Sequence, residues 1–160
     1  MGISEISQAI TTGRILLAVE AVPQSKTVIA AAAKLARRSQ AEVLVLSVLE
    51  RDYARGFVWD VRQPGEIAET VSSAVYELRR AGVKASGAIR TARSGRVAGE
   101  IVYAAHKHHV SEIVIGASRR SWLGRFLMWG VALRVLRLSD LPVVTVPTNR
   151  RPPSVERVSV

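Results

Sequence analysis

The sequence predicts an α/β fold, a five-stranded parallel sheet with helices on both faces. Three observations lead there. Short runs rich in Val, Ile and Leu alternate with stretches of helical periodicity from Gly13 to Pro147, the pattern of strand–helix–strand units whose strands lie parallel. The strand segments are apolar almost throughout, as strands covered on both faces must be. The 160 residues, 48% of them hydrophobic, suffice for one domain with a sizeable core.

The elements follow in order. "RILLAVE", Arg14 to Glu20, is a buried strand bounded by Gly13 and Pro23. Ser25 to Arg38 is an alanine-rich helix with Ser25 as its candidate N-cap. "AEVLVLSVLE", Ala41 to Glu50, is the second strand, and a loop, "RDYARGFVWDVRQPG", follows it. Glu66 to Ala81 is the second helix, with Ile67, Val71, Ala74, Val75 and Leu78 on one face and Gly82 as its stop. "VKASGAIRTA" is a weaker third strand. Val97 to His109 is the third helix, with Ile101, Val102 and Ala105 inward. "SEIVIGA" is the fourth strand, Phe126 to Leu138 the fourth helix and "PVVTVP" the fifth strand. Residues 1–12 stand outside the alternation as an N-terminal segment or linker. Residues 148–160, with two prolines and no periodicity, read as a basic disordered tail.

Composition narrows the function classes. With no cysteine, disulfides, thiolate metal sites and cysteine nucleophiles are excluded. No apolar run approaches the ~20 residues needed to span a bilayer, and "MGISEISQAI" lacks both the basic start and the apolar block of a signal peptide. A cytoplasmic location is expected. The net charge of +10 comes largely from arginine, which includes the pairs Arg37-Arg38, Arg79-Arg80, Arg119-Arg120 and Arg150-Arg151. It predicts a general, salt-sensitive attraction to anions without preference for a nucleic-acid sequence.

In open parallel sheets, ligands sit beyond the carboxyl ends of the strands, where strand order reverses. The loops Glu20 to Ser25, Val48 to Gln63, Ala92 to Arg96 and Gly116 to Gly124 are therefore the candidates. Other constellations are weaker. His106 and His109 share a helical face, but nothing completes a metal shell around them, so they read as a solvated helix end. Glu66 and Glu69 suit the first turn of a helix better than a catalytic pair. Arg93 and Arg96 flank the start of the third helix, where an anion would be attracted, and Ser94 is a candidate cap there. Phe57 and Trp59 are expected to pack over the sheet edge. No phosphate-loop, nucleophile-elbow or zinc-protease motif occurs, and no nucleophile, base and orienting acid assemble. The chain is not expected to be an enzyme.

The residues "ILLAVEAVPQS", "AEVLVLSVLE" and "VSEIVIGAS…VALRVLRLSDLPVVTVP" resemble the universal stress protein family over Gly13 to Pro147. That resemblance implies a Rossmann-like fold of the adenine nucleotide alpha hydrolase type, commonly dimeric, with ATP or another adenine nucleotide bound in some members. It implies Glu20 near ribose or base, Val48 as the backbone contact to adenine, and a phosphate loop of the form G-x-x-G, nine residues, G, then Ser or Thr. Gly116 meets the first position. Arg119 stands at the second, Trp129 at the third and Gly130 at the hydroxyl position, followed by Val131. Arg119 puts a long side chain where backbone N–H groups should be bare. Gly130 offers no hydroxyl.

The expectation is a non-enzymatic stress-response or regulatory module that binds ATP or AMP weakly or not at all, with no other cofactor and no metal. Two alternatives stand beside it: an adenine-nucleotide binder with a modified phosphate loop, and a soluble regulatory domain of a membrane transporter. The last strand closes the chain's series of elements, so it should lie at a sheet edge and pair with a second copy through Val143, Val144 and Val146. Besides the second copy, a protein or transporter is the expected partner.

Overall fold

The structure is a computed structural model, and it describes residues 13–20, 26–118 and 130–148. The described residues form six strands and four helices: β1 (Arg14–Ala18), α1 (Lys26–Ser39), β2 (Glu42–Ala54), β3 (Phe57–Asp60), α2 (Pro64–Arg80), β4 (Ala85–Arg93), α3 (Val97–Lys107), β5 (Glu112–Ser118), α4 (Val131–Leu138) and β6 (Val143–Thr148). Five strands are parallel, in the order β4-β2-β1-β5-β6. The order reverses between β1 and β5. The chain steps outward from β1 to β2 and β4, then returns to the other side of β1 for β5 and β6.

The sixth strand corrects the expected loop after Glu50. β2 runs on to Ala54 and turns back as β3, antiparallel, with Arg51 opposite Asp60 and Ala54 opposite Phe57. Arg55 and Gly56, at φ 49° and 82°, form the turn. Two consecutive residues of positive φ make a hairpin turn whose twist matches that of its strands. The Arg51 guanidinium donates to the Asp60 carboxylate at 2.6 Å across the ribbon.

Hydrogen-bond parity places β3. The carbonyls of Leu46 and Glu50 accept from Val19 and Val61, whereas the Arg51 carbonyl accepts from Ser94 and the Val43 amide donates to Lys84. Even-numbered residues of β2 thus turn their backbone groups toward β1 and β3, and odd-numbered ones toward β4. β3 lies on the same edge of β2 as β1, farther along the strand.

Two cores flank the sheet. On one face Ile15, Leu17, Val43, Val45 and Val114 pack with Val28, Ala32 and Ala36 of α1 and Val71, Ala74 and Leu78 of α2. On the other, Leu16, Leu46, Ile113 and Ile115 pack with Ala98, Ile101 and Ala105 of α3 and Val135 of α4. The small residues of β4 matter here: a Cβ on Gly87 would lie 2.5 Å from Val71 Cγ1, so α2 approaches the sheet only because that position is bare. Gly82, at φ 79°, ends α2 as expected. α3 stops at Lys107, short of His109, because His109 turns through φ 52° into β5. Ser25, the expected cap of α1, and 126–129, the expected first turn of α4, lie outside the described residues.

Candidate functional site

β1 is short. Its pairing with β2 ends at Ala18 opposite Leu46, and with β5 at Ala18 opposite Ile115. Both neighbours continue, β2 to Ala54 and β5 to Ser118. A gap therefore opens in the sheet beyond β1, at the point where strand order reverses, which is where ligands of such sheets bind. β3 bounds the gap farther along β2.

The mouth of this gap is fixed by a residue the sequence reading passed over. Val19 donates its N–H to the Leu46 carbonyl, and the buried Ser47 hydroxyl donates to the Val19 carbonyl at 2.9 Å. A hydroxyl within "EVLVLSVLE" has to find an acceptor once the strand is buried. That requirement was the available signal. The clamp holds the chain leading to Glu20, which is exposed two residues beyond β1.

Val48 lies on β2 between Leu46 and Glu50, so its N–H and C=O face the gap. Its side chain is half-buried against the core of the α3/α4 face, as is that of Val131. Gly116 borders the gap from β5. The Ile113 amide bonds to Pro142 on the β6 side, so the carbonyl of Gly116, three residues on, points the other way. Gly130 is the N-cap of α4, at φ −42° and ψ 149°, with no side-chain cap hydrogen bond. The structure thus gathers Val48, Gly116, Gly130 and Val131, with Glu20 at the rim, around the carboxyl end of the sheet. Arg119 and Trp129 lie outside the described residues.

Other candidates go elsewhere. The Arg93 guanidinium sits 4.6 Å over the Tyr53 ring rather than at the start of α3. Arg96, not Ser94, is the N-cap of α3, and it makes no side-chain cap bond. The turn between β4 and α3 is instead tied to α4, through Arg134 Nη1 donating to the Gly95 carbonyl at 3.0 Å. Glu66 and Glu69 are exposed at the start of α2. His106 Nε2 lies 2.8 Å from Asp140 Oδ1, joining the end of α3 to the turn before β6. Burial lowers the His108 imidazole pKa, and the positive charge of Arg14, Lys107, Arg90 and His109 lowers it further. These histidines sit at the amino end of the sheet. Among the described residues no group of three or more His, Asp or Glu side chains could hold a metal ion.

Comparison with known proteins fits this geometry. The model of the universal stress protein family matches residues 11–147. The chain belongs to that family. A universal stress protein from Archaeoglobus fulgidus has the same fold, with a TM-score of 0.66 at 26% identity over 83% of this chain and 97% of that one. The A. fulgidus universal stress protein in complex with dAMP superposes with a TM-score of 0.61 at 25% identity, over 85% and 98%. The sensor protein KdpD of Mycobacterium tuberculosis is 27% identical over 149 residues. That match takes in 91% of this universal stress protein chain, which spans only 16% of the sensor's length. The sheet, its helices on both faces and the family are as the sequence predicts. The antiparallel β3 is the addition.

Proposed function

We propose that this universal stress protein domain is a non-enzymatic regulatory module whose gap beyond β1 keeps the base half of an adenine-nucleotide site and lacks much of the phosphate half. The observation that carries this is the direction of the Val48 backbone groups, taken with a glycine at the cap of α4. The Val48 N–H and C=O face the gap together, and one donor beside one acceptor matches the adenine edge that presents a ring nitrogen and an amino group. At the phosphate end, Gly130 caps α4 with no hydroxyl. Glu20 at the rim supplies an acceptor for a ribose hydroxyl. The dAMP complex of the A. fulgidus relative supports an adenine nucleotide as the ligand class.

A hydrogen bond to a charged group contributes about 1.5–3 kcal/mol. Loss of two or three moves a micromolar site toward millimolar. Calorimetry should therefore find ATP and AMP binding alike, near millimolar. Arg119→Gly/Trp129→Gly/Gly130→Ser should tighten ATP more than AMP. Low-micromolar ATP binding by the native chain defeats the proposal.

The likeness to a sensor protein many times longer supports the same module acting as a regulatory domain, alone or within a larger assembly. β6 pairs with β5 on one side, and antiparallel pairing with a second copy would cover its other edge. Val144, 36% exposed, shares a face of β6 with Val146. Val146 is buried in the core of the α1/α2 face and would contribute only its backbone. A monomer in light scattering at high micromolar concentration would remove the dimer from this reading.

A further inference from the structure

The β2–β3 hairpin carries apolar side chains that its own fold leaves in water. Phe57 is 74% exposed, Val58 56%, Tyr53 47% and Trp59 45%. Strand alternation sorts them onto both faces of the ribbon. Tyr53 and Val58 are paired and share one face, while Phe57 and Trp59 share the other with Ala54 and Asp52. Val61 follows just beyond β3; elsewhere in the described residues, exposed large apolar groups stand singly on α2, β4, α3 and β6, with Leu133, Leu136 and Leu138 on α4. Here they crowd onto a single projection.

A flat partner surface would cover one face of a ribbon and leave the other wet. A bilayer surface buries apolar groups on both faces together, because the tip enters a medium that surrounds it. The interfacial zone of a bilayer is such a medium, and aromatic rings settle there. The dimensions fit. A four-residue strand at about 3.4 Å per residue spans about 14 Å, and interfacial elements bury about 5–10 Å. The tip through Trp59 would enter, leaving the Arg51–Asp60 ion pair and Arg93 at headgroup level. Charge selects the lipid. On the ribbon itself Arg51 and Arg55 are matched by Asp60 and Asp52, so the local excess is Arg93 beside Tyr53, in a chain whose net charge is +10. Such a surface is drawn to anionic headgroups. Among the described residues no helix is long and apolar enough to cross a membrane, so attachment would be peripheral.

We propose that the β2–β3 hairpin is a peripheral membrane anchor that inserts Phe57, Trp59 and Tyr53 into an anionic bilayer surface.

The test is sedimentation of the full chain with vesicles of phosphatidylcholine alone or of phosphatidylcholine mixed with about one third phosphatidylglycerol, whose anionic headgroups supply the negative surface potential. The native chain should bind the anionic vesicles and release them as salt rises. Phe57→Ser/Trp59→Ser should weaken binding by about tenfold or more with an unchanged far-ultraviolet spectrum. Arg150→Gln/Arg151→Gln should weaken it less. Three results overturn the proposal: no preference for anionic vesicles, the double serine variant binding like the native chain, or that variant dissociating a dimer, which would make the hairpin a contact between copies or a protein-docking surface.

Discussion

The two halves of β2 share a backbone conformation and almost nothing else. Val43 to Leu46 lie between β1 and β4, buried on both faces. Arg51 to Ala54 pair with β3, and there the strand emerges into solvent. The first half is held by packing from two helical layers. The second is held by one turn, one ion pair and one stacked ring, Arg55-Gly56, Arg51–Asp60 and Arg93 on Tyr53. A strand extends as far as its backbone finds partners, not as far as its side chains find a core. The gap in the sheet exists because β1 ends between these two halves.

The largest test of that contrast compares Leu46→Ala with Tyr53→Ala. Leu46 is fully buried, and its truncation should cost about 2–5 kcal/mol. Tyr53 should cost at most about 1 kcal/mol. Urea unfolding followed by circular dichroism measures both, and equal costs would break the comparison.

Next in size is Gly87→Ala. The new methyl would meet Val71 at 2.5 Å, and overpacking of this kind costs about 1–3 kcal/mol. The cost should appear in the global unfolding midpoint, because β4 and α2 belong to the core.

Gly56→Ala places a side chain at φ 82°, a penalty of about 1 kcal/mol or somewhat more. Here the expected outcome is local. Amide exchange in Phe57–Asp60 should quicken while the global midpoint hardly moves. A full shift of that midpoint would show that the hairpin unfolds with the core.

The smallest effect is a pH dependence at the other end of the sheet. His108 has its pKa lowered by burial and neighbouring cations. The unfolded chain then takes up its proton more readily than the folded one, so stability is full above about pH 6.5 and declines as pH falls through that value toward the lower folded pKa. Thermal midpoints should drop between pH 7 and 5, and His108→Gln should flatten part of the slope. A native profile that rises on acidification would contradict the sign.

Much of this was legible before any coordinates. Ile67, Val71, Ala74 and Leu78 are the buried stripe of α2, as their spacing requires. Gly82 stops that helix, and Val48, Gly116 and Gly130 all come to the carboxyl end of the sheet. β3 was hidden because "RDYARGFVWD" has the composition of a loop, with charges at Arg51, Asp52, Arg55 and Asp60. Its signal was a two-residue Arg-Gly turn between residues of high β propensity, and charge outweighed it. Ser47 escaped notice because a lone serine in an apolar strand reveals its acceptor only when the neighbouring strand is in place.

The sequence by itself determined the alternation of strands and helices, the doubly covered sheet and the missing hydroxyl at Gly130. Each of these follows from side-chain chemistry and from spacing along the chain. Only the tertiary structure decided where β1 stops relative to β2 and β5, which backbone groups of Val48 and Gly116 are turned into the gap, and that Arg93 stacks on Tyr53 instead of waiting at a helix end. These depend on register between segments far apart in sequence, and register is set by the packing of two cores at once.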